Sequence, residues 1–261
     1  MCRRPPTSTS QRSIRFSRSK KSKSWKNDIA PCVKAIVLLS GGMDSCVTVA
    51  CAISEGYDVH ALHVNYGQRT QDRELRSFND ICDHYAVTNR LVVDISHLAA
   101  IGGSSLTDTN IEITHSPLSS GGPGLETKDV PTSYVPFRNA NILAIATSWA
   151  EVVGAAALFI GAVEEDSSGY PDCRDVFFRA FEHVINTGTK PGTAIRIATP
   201  LISLRKSEIV LLGTKLNAPL ELSWSCYARQ DVACGKCDSC ALRLRGFEEA
   251  GLHDPIPYLS A

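Results

Sequence analysis

The chain has 261 residues, 27 basic and 27 acidic side chains, and 43% hydrophobic content, which describes a soluble globular protein large enough to hold a core without disulfides. No apolar stretch is long enough to cross a bilayer, and candidates such as Ile142–Val153 are interrupted by Thr147, Ser148 and Glu151, so no membrane partner is expected. The zero net charge conceals an imbalance: residues 1–33 hold nine Lys/Arg against one acid, a net of +8, which leaves −8 on residues 34–261 and argues against a broad nucleic-acid groove on the body.

Residues 1–33 are rich in Ser, Pro and Thr as well as basic side chains, with no apolar periodicity. They read as a disordered basic extension, with folded sequence starting near Val33. An Arg- and Ser-rich, acid-poor head also fits an organellar transit peptide; the simpler reading is a dispensable extension on a cytoplasmic protein. Lys34–Leu39 follows as an apolar, β-branched strand of the kind buried on both faces. After the turn Ser40–Ser45 come a helix, Asp44–Ser54, a strand, Val59–Tyr66, a helix, Thr70–Tyr85, with its stripe at Leu75, Phe78, Ile81 and Tyr85, and a strand, Arg90–Ile95. Residues 97–133, dominated by Gly, Ser, Thr and Pro, break the rhythm and read as a mobile insertion or lid. The alternation resumes with helix Asn139–Val153, strand Ala156–Ala162, helix Arg174–Asn186, strand Ala194–Ala198 and helix Ser203–Asn217. Strands alternating with helices of this length predict an α/β fold with a doubly wound, Rossmann-like parallel sheet over residues 34–220. Residues 221–261 read as a small C-terminal cysteine module ending in a helix, Ser239–Ala250, stopped at Gly251.

Four of the ten cysteines, Cys226, Cys234, Cys237 and Cys240, cluster, the last three at Cx2Cx2C spacing. Four thiolates close a tetrahedron around zinc and leave no position for water, so a structural zinc in a reducing compartment is the expectation. The rival is an iron–sulfur cluster, although the Cx3CP tail of the bacterial ferredoxin run is missing, because Ala-Leu-Arg-Leu follows Cys240.

The turn Ser40-Gly-Gly-Met-Asp-Ser45, between a strand and a helix, is a phosphate cradle without a Walker lysine. Its backbone N–H groups form an anion nest at the positive end of the helix dipole, and Ser40 and Ser45 add hydroxyls. Asp44, at the helix start, is placed either to cap free N–H groups or to hold Mg2+. A lysine at the β/γ-phosphates serves γ-transfer; a loop that only holds pyrophosphate serves attack at the α-phosphorus of ATP. In this the segment resembles the PP-loop ATP pyrophosphatases, which adenylate an oxygen of their substrate.

Taken in order, "KAIVLLSGGMDS", "VNYGQR", "PFRN", "GAVEEDSSGYPDCRDVF", "PLISLRKSEIV", "SWSCY", "CGKCDSC" and "GLHDPIPY" resemble the 7-cyano-7-deazaguanine synthases, the QueC family, over roughly residues 34–258. The resemblance implies an ATP-dependent carbon–nitrogen ligase of queuosine-type tRNA base biosynthesis. It would convert 7-carboxy-7-deazaguanine and ammonia to a nitrile through two adenylations, with AMP and pyrophosphate released. By position the ATP segment is Leu39, Ser40, Gly41, Gly42, Met43, Asp44, Ser45, Cys46, Val47, Thr48 and Val49. Asp44, Ser45, Lys206 and Arg138 are the catalytic candidates. Lys206 is either the charge that the loop lacks or an exposed lysine at a helix start. Arg138 and Asn139, ahead of a helix, face the substrate carboxylate or form a solvated pair. Asp166, Tyr170 and Asp172 lie in a Gly/Pro turn after a strand, at the carboxyl edge where open sheets bind ligands; they read the deazapurine or merely make the turn. His63, His97, His115 and His253 read as ordinary packing residues, and Cys173 as substrate-proximal with no paired base. Cys2 has no glutaminase domain around it, so ammonia is expected from solution or a partner. A homodimer without direct nucleic-acid contact is expected. The alternatives are an RNA-thiolating PP-loop enzyme, another adenylating amide ligase, and a non-enzymatic zinc module bound to RNA.

Overall fold

The computed structural model describes residues 32–113, 130–164 and 169–259; the basic head up to residue 31, Asp166 and His115 lie outside them. Five strands, β1 (Lys34–Leu38), β2 (Asp58–Asn65), β3 (Arg90–Asp94), β4 (Ala157–Ile160) and β5 (Arg196–Ala198), pair in the order β3-β2-β1-β4-β5, all parallel. The order reverses between β1 and β4, which opens a crevice at their carboxyl ends.

β1 is apolar throughout because both of its faces are covered, yet the pleat still sorts it. Ala35, Val37 and Leu39 pack toward α1 (Met43–Ser54) and α2 (Gln71–His84), where Cys46, Val49, Phe78 and Ile81 meet them. Ile36 and Leu38 pack the other way, toward α4 (Arg138–Val153) and α5 (Asp175–Gly188), through Leu143, Ala146, Phe178 and Ile185. β4 ends at Ile160, earlier than the sequence suggested. At Gly161 the chain passes so close to α1 that an added Cβ would lie 2.8 Å from Thr48 Oγ1 and 3.0 Å from the Asp44 carbonyl.

The described parts of the Gly/Ser-rich stretch, residues 97–113 and 130–133, are tied to the body. His97–Ile101 is a short helix, α3, and Leu98, Leu106 and Val135 enter the core. Arg69 Nη2 donates to the Asp108 and Ile111 carbonyls at 2.6 and 2.7 Å, and the Ser105 N–H donates to the Thr132 carbonyl at 2.8 Å. These bonds pin both flanks of residues 114–129, which lie outside the described residues.

The cysteine module is built into the body. Its helix α7 (Asp238–Glu249) packs on α6 (Lys206–Lys215), and Phe247 shares a core with Met43, Val47, Ile209 and Leu220. Arg243, 1% exposed, forms a bidentate pair with Asp254 at 2.7 and 2.9 Å and donates to Ser223 Oγ and the Leu220 carbonyl. Tyr258 donates its hydroxyl to the same carboxylate at 2.6 Å.

Candidate functional site

The turn after β1 is held from three sides. Gly41 has φ +92, and a Cβ there would stand 2.5 Å from the Glu74 carbonyl oxygen, so only glycine lets the loop lie against α2. The Gly41 carbonyl accepts the Trp224 N–H at 2.8 Å, which ties the loop to the segment leading into the cysteine module. Beneath the loop, His63 bridges the Leu39 carbonyl and Asn65 Oδ1, each at 3.0 Å. Burial holds its imidazole below the usual pKa of 6.5 despite the Leu39 bond.

α1 starts at Met43 with Gly42 at the cap position and no side-chain cap. Its first-turn N–H groups therefore remain for an anion. The serines are engaged within the loop: Ser45 Oγ donates to the Gly42 carbonyl at 2.9 Å, and Ser40 Oγ accepts the Gly42 N–H at 3.2 Å. A rotation of either hydroxyl would be needed to reach a ligand.

The two readings of Asp44 separate here. It caps nothing. Its Oδ2 accepts from Lys206 Nζ at 2.6 Å across 162 residues of sequence. Its Oδ1 is buried with no hydrogen-bond partner. A buried carboxylate oxygen without a donor is costly unless a cation or ligand donor completes it, so the position fits Mg2+ as a hard-oxygen ligand. Lys206 is therefore at the loop, not on open surface.

Two adjoining cavities, about 260 and 160 Å3, share Asp44, Arg138, Cys173, Ser225, Tyr227 and Ser239 in their walls. The larger reaches Ser40, Leu62, Val64 and Ile142 beside the loop; the smaller reaches Tyr170 and Lys206. Arg138, the first residue of α4, lies 5.0 Å over the Tyr66 ring and donates to its hydroxyl at 3.0 Å. Tyr170 donates to Ser133 Oγ at 2.7 Å. Burial and the neighbouring Asp172 push the Cys173 thiol up to about 11. That disfavours the thiolate that a nucleophile needs, and the residue lines both cavities.

Two of the carboxylate and amide expectations change. Asp172 is 3% exposed and lines neither cavity. Its Oδ2 accepts the Asn139 N–H at 3.0 Å, at the start of α4. It therefore caps that helix rather than reading a purine edge, and burial raises its pKa against that bond. Asn139 lines the larger cavity, but its amide donates to the Asp172 carbonyl at 3.0 Å and to Cys173 Sγ at 3.3 Å. Its side chain holds the turn together and offers the cavity an acceptor at most. Sequence reasoning assigned no role to Tyr66, Trp224, Ser225, Tyr227 or Ser239. The signal available was an aromatic at the carboxyl end of a parallel strand for Tyr66, the "SWSCY" segment for Trp224, Ser225 and Tyr227, and "CGKCDSC" for Ser239.

The sulfurs of Cys226, Cys234, Cys237 and Cys240 all lie within 4.8 Å of one another, with Cys234 and Cys240 3.9 Å apart. A tetrahedron with Zn–S near 2.3 Å needs sulfurs about 3.8 Å apart, so the set fits a closed four-thiolate metal site. The Lys236 and Cys237 N–H groups point at Cys234 Sγ at 3.4 and 3.3 Å, and the Cys234 N–H at Cys226 Sγ at 3.4 Å. Such donors favour thiolates.

The model of the family described as "Queuosine biosynthesis protein QueC" matches residues 34–251. The 7-cyano-7-deazaguanine synthase of Chloroherpeton thalassium is 59% identical over 226 residues, covering 87% of this chain and 97% of that protein. The protein of the same name from Chlorobium phaeobacteroides (strain DSM 266) is 60% identical, with the same coverage of both chains. Among solved structures, a 4-thiouridine synthetase–RNA complex with bound ATP aligns over 84% of this chain and 50% of that chain at 17% identity and a TM-score of 0.45, too low a likeness to speak for substrate or mechanism.

Proposed function

This chain belongs to the QueC family of queuosine biosynthesis proteins, and from that premise we propose that it is an ATP-dependent nitrile synthase. It converts 7-carboxy-7-deazaguanine and ammonia to 7-cyano-7-deazaguanine. The observation that carries the reading is Asp44: one oxygen on Lys206 and the other buried without a partner, beside an uncapped helix start at the sheet's crossover point.

The chemistry needs activation at each stage because oxide and hydroxide leave poorly. A carboxylate oxygen attacks the α-phosphorus of ATP and expels pyrophosphate, giving an acyl adenylate. Ammonia adds to the acyl carbon and loses a proton, and AMP departs with the C–O electron pair, leaving the primary amide. The amide oxygen then attacks a second ATP. Loss of both amide protons, with AMP again taking the C–O pair, leaves C≡N. Both activations are attacks at the α-phosphorus, so one nucleotide site serves both.

The α1 N–H groups hold the pyrophosphate, and Lys206 supplies the charge that a Walker lysine supplies elsewhere. Magnesium at Asp44 Oδ1 would neutralise charge on the departing group. Arg138 meets the substrate carboxylate with Tyr66 beneath its guanidinium. Tyr170, Tyr227 and Ser225 form the wall against the deazapurine. We assign zinc, one per chain, to the four sulfurs; with no open position it is structural, and it steadies the segment whose Trp224 holds the loop. Ammonia comes from solution or from a partner enzyme, and the protein acts as a homodimer without binding nucleic acid itself. The test is pyrophosphate and AMP release from ATP, Mg2+ and ammonium, with and without the deazapurine acid. Release that depends on the acid and yields nitrile is expected. Release that ignores the acid but answers to tRNA and a sulfur donor would overturn the reading.

A further inference from the structure

Three features lie along α7. Cys237 sits at its cap position and Cys240 in its first turn, both in the sulfur cluster. Arg243 anchors the helix to Ser223, Leu220 and Asp254. Gly246 follows three residues later on the same face, and there α7 touches α6. A Cβ on Gly246 would lie 2.8 Å from Lys206 Cβ and 3.1 and 3.2 Å from its carbonyl carbon and oxygen. Lys206 is the first residue of α6, behind a capping box formed by Arg205 and Glu208, and its Nζ reaches Asp44 at 2.6 Å.

We infer that Gly246 is a positioning residue for the reaction: lacking a side chain, it lets α7 seat against the first residue of α6 and so fixes the Lys206 ammonium on Asp44 beside the loop. The inference rests on the reading of Lys206 and Asp44 as parts of the nucleotide site. One rigid helix then joins the sulfur cluster at one end to the lysine near the other. A methyl group at 246 cannot be absorbed by a flexible side-chain tip, since the atoms it meets are a Cβ and a peptide carbonyl. The start of α6 must move, and the lysine moves with it. Displacements of this size cost turnover rather than ground-state affinity when the displaced group acts mainly in the transition state.

The experiment is a double-mutant cycle on pyrophosphate release, with melting temperature and zinc content measured on each protein. Gly246→Ala is expected to keep its zinc and its KM for ATP within about twofold, and to lose kcat by about tenfold. In a Lys206→Gln background the same change is expected to cost nothing further, because its effect passes through the missing ammonium. If Gly246→Ala does not accumulate as folded protein, Phe247→Leu, which loosens the neighbouring packing of α7 on the Met43–Ile209 core beside Lys206, takes its place in the same cycle. Equal losses of kcat in both backgrounds would make Gly246 a packing residue only and overturn the inference, as would unchanged kcat in the single variant. Full turnover by Lys206→Gln would overturn the placement of the lysine in the site, and the inference with it.

Discussion

Replacing Asp44 with Asn isolates charge from shape. Asn keeps an oxygen for the Lys206 ammonium, so the 2.6 Å contact survives as a hydrogen bond to a neutral acceptor. The pair is partly solvated, with the Asp44 side chain 29% exposed and that of Lys206 11%, so its net contribution to folding is about 1 kcal/mol or less. For a body of this size that shifts Tm by about 2–4 °C. Helix capping does not enter, because no side chain caps α1. Turnover is different. Removing one preorganised electrostatic contact to developing charge costs about 10²–10³ in rate, or roughly 2.7–4 kcal/mol, and the proposed contact is at Oδ1, which is buried without a hydrogen-bond partner. The assay feeds the deazapurine acid and its amide separately and follows AMP. Asp44→Asn should melt close to wild type and lose at least about a hundredfold with both substrates. Near-normal turnover with both would refute the role of the carboxylate, and a defect confined to one would mean that the two activations do not share a nucleotide site.

Cys234→Ala should lose the metal and lower Tm, and weaken nucleotide turnover only indirectly, through the Trp224–Gly41 bond; metal analysis should give one zinc per colourless chain, and brown protein with iron and labile sulfide would contradict the assignment. Arg243→Met leaves the Asp254 carboxylate, in a residue 5% exposed, without its cationic partner and with the Tyr258 hydroxyl and Ile256 N–H as its remaining donors, and should cost about 3–5 kcal/mol by denaturant unfolding. Arg243→Met with Asp254→Leu should recover much of that, and no recovery would mean that packing, not charge, was lost. The folded pKa of His63 is depressed, so its contribution is fully present above the unfolded value of 6.5 and is lost as pH falls through the folded one. Wild-type stability should therefore drop more steeply below pH 6.5 than that of His63→Gln, by up to about 1.4 kcal/mol per pH unit; parallel curves would contradict the burial argument.

What was legible in the sequence was local. The β1 strand, the Ser40–Ser45 turn and the α1 helix announce themselves because the glycines, the apolar run and the helix start are contiguous. The sulfur cluster does so through its spacing. The β1–β4 crossover follows from strands alternating with helices. The Lys206–Asp44 contact spans 162 residues, and a lysine at a helix start reads the same whether it meets a carboxylate or water. Asp172 looked like a substrate reader because a carboxylate in a turn is ambiguous until its partner, the Asn139 N–H, is in place. Leu98, Leu106 and Val135 are too widely spaced among Gly and Ser to form a periodic signal, yet they pack into the core. Gly246 sits in a helix, where glycine is ordinarily unfavourable, and only the α6 crossing explains it.

In the proposed reaction one site adenylates twice on the way to a nitrile. This is tested most directly by counting AMP against nitrile in a single reaction started from the acid, and again in one started from the amide. One AMP is expected for each activation: two per nitrile from the acid and one from the amide, each matched by pyrophosphate. ADP in place of AMP, or the same AMP count from both starting materials, would contradict the proposed reaction.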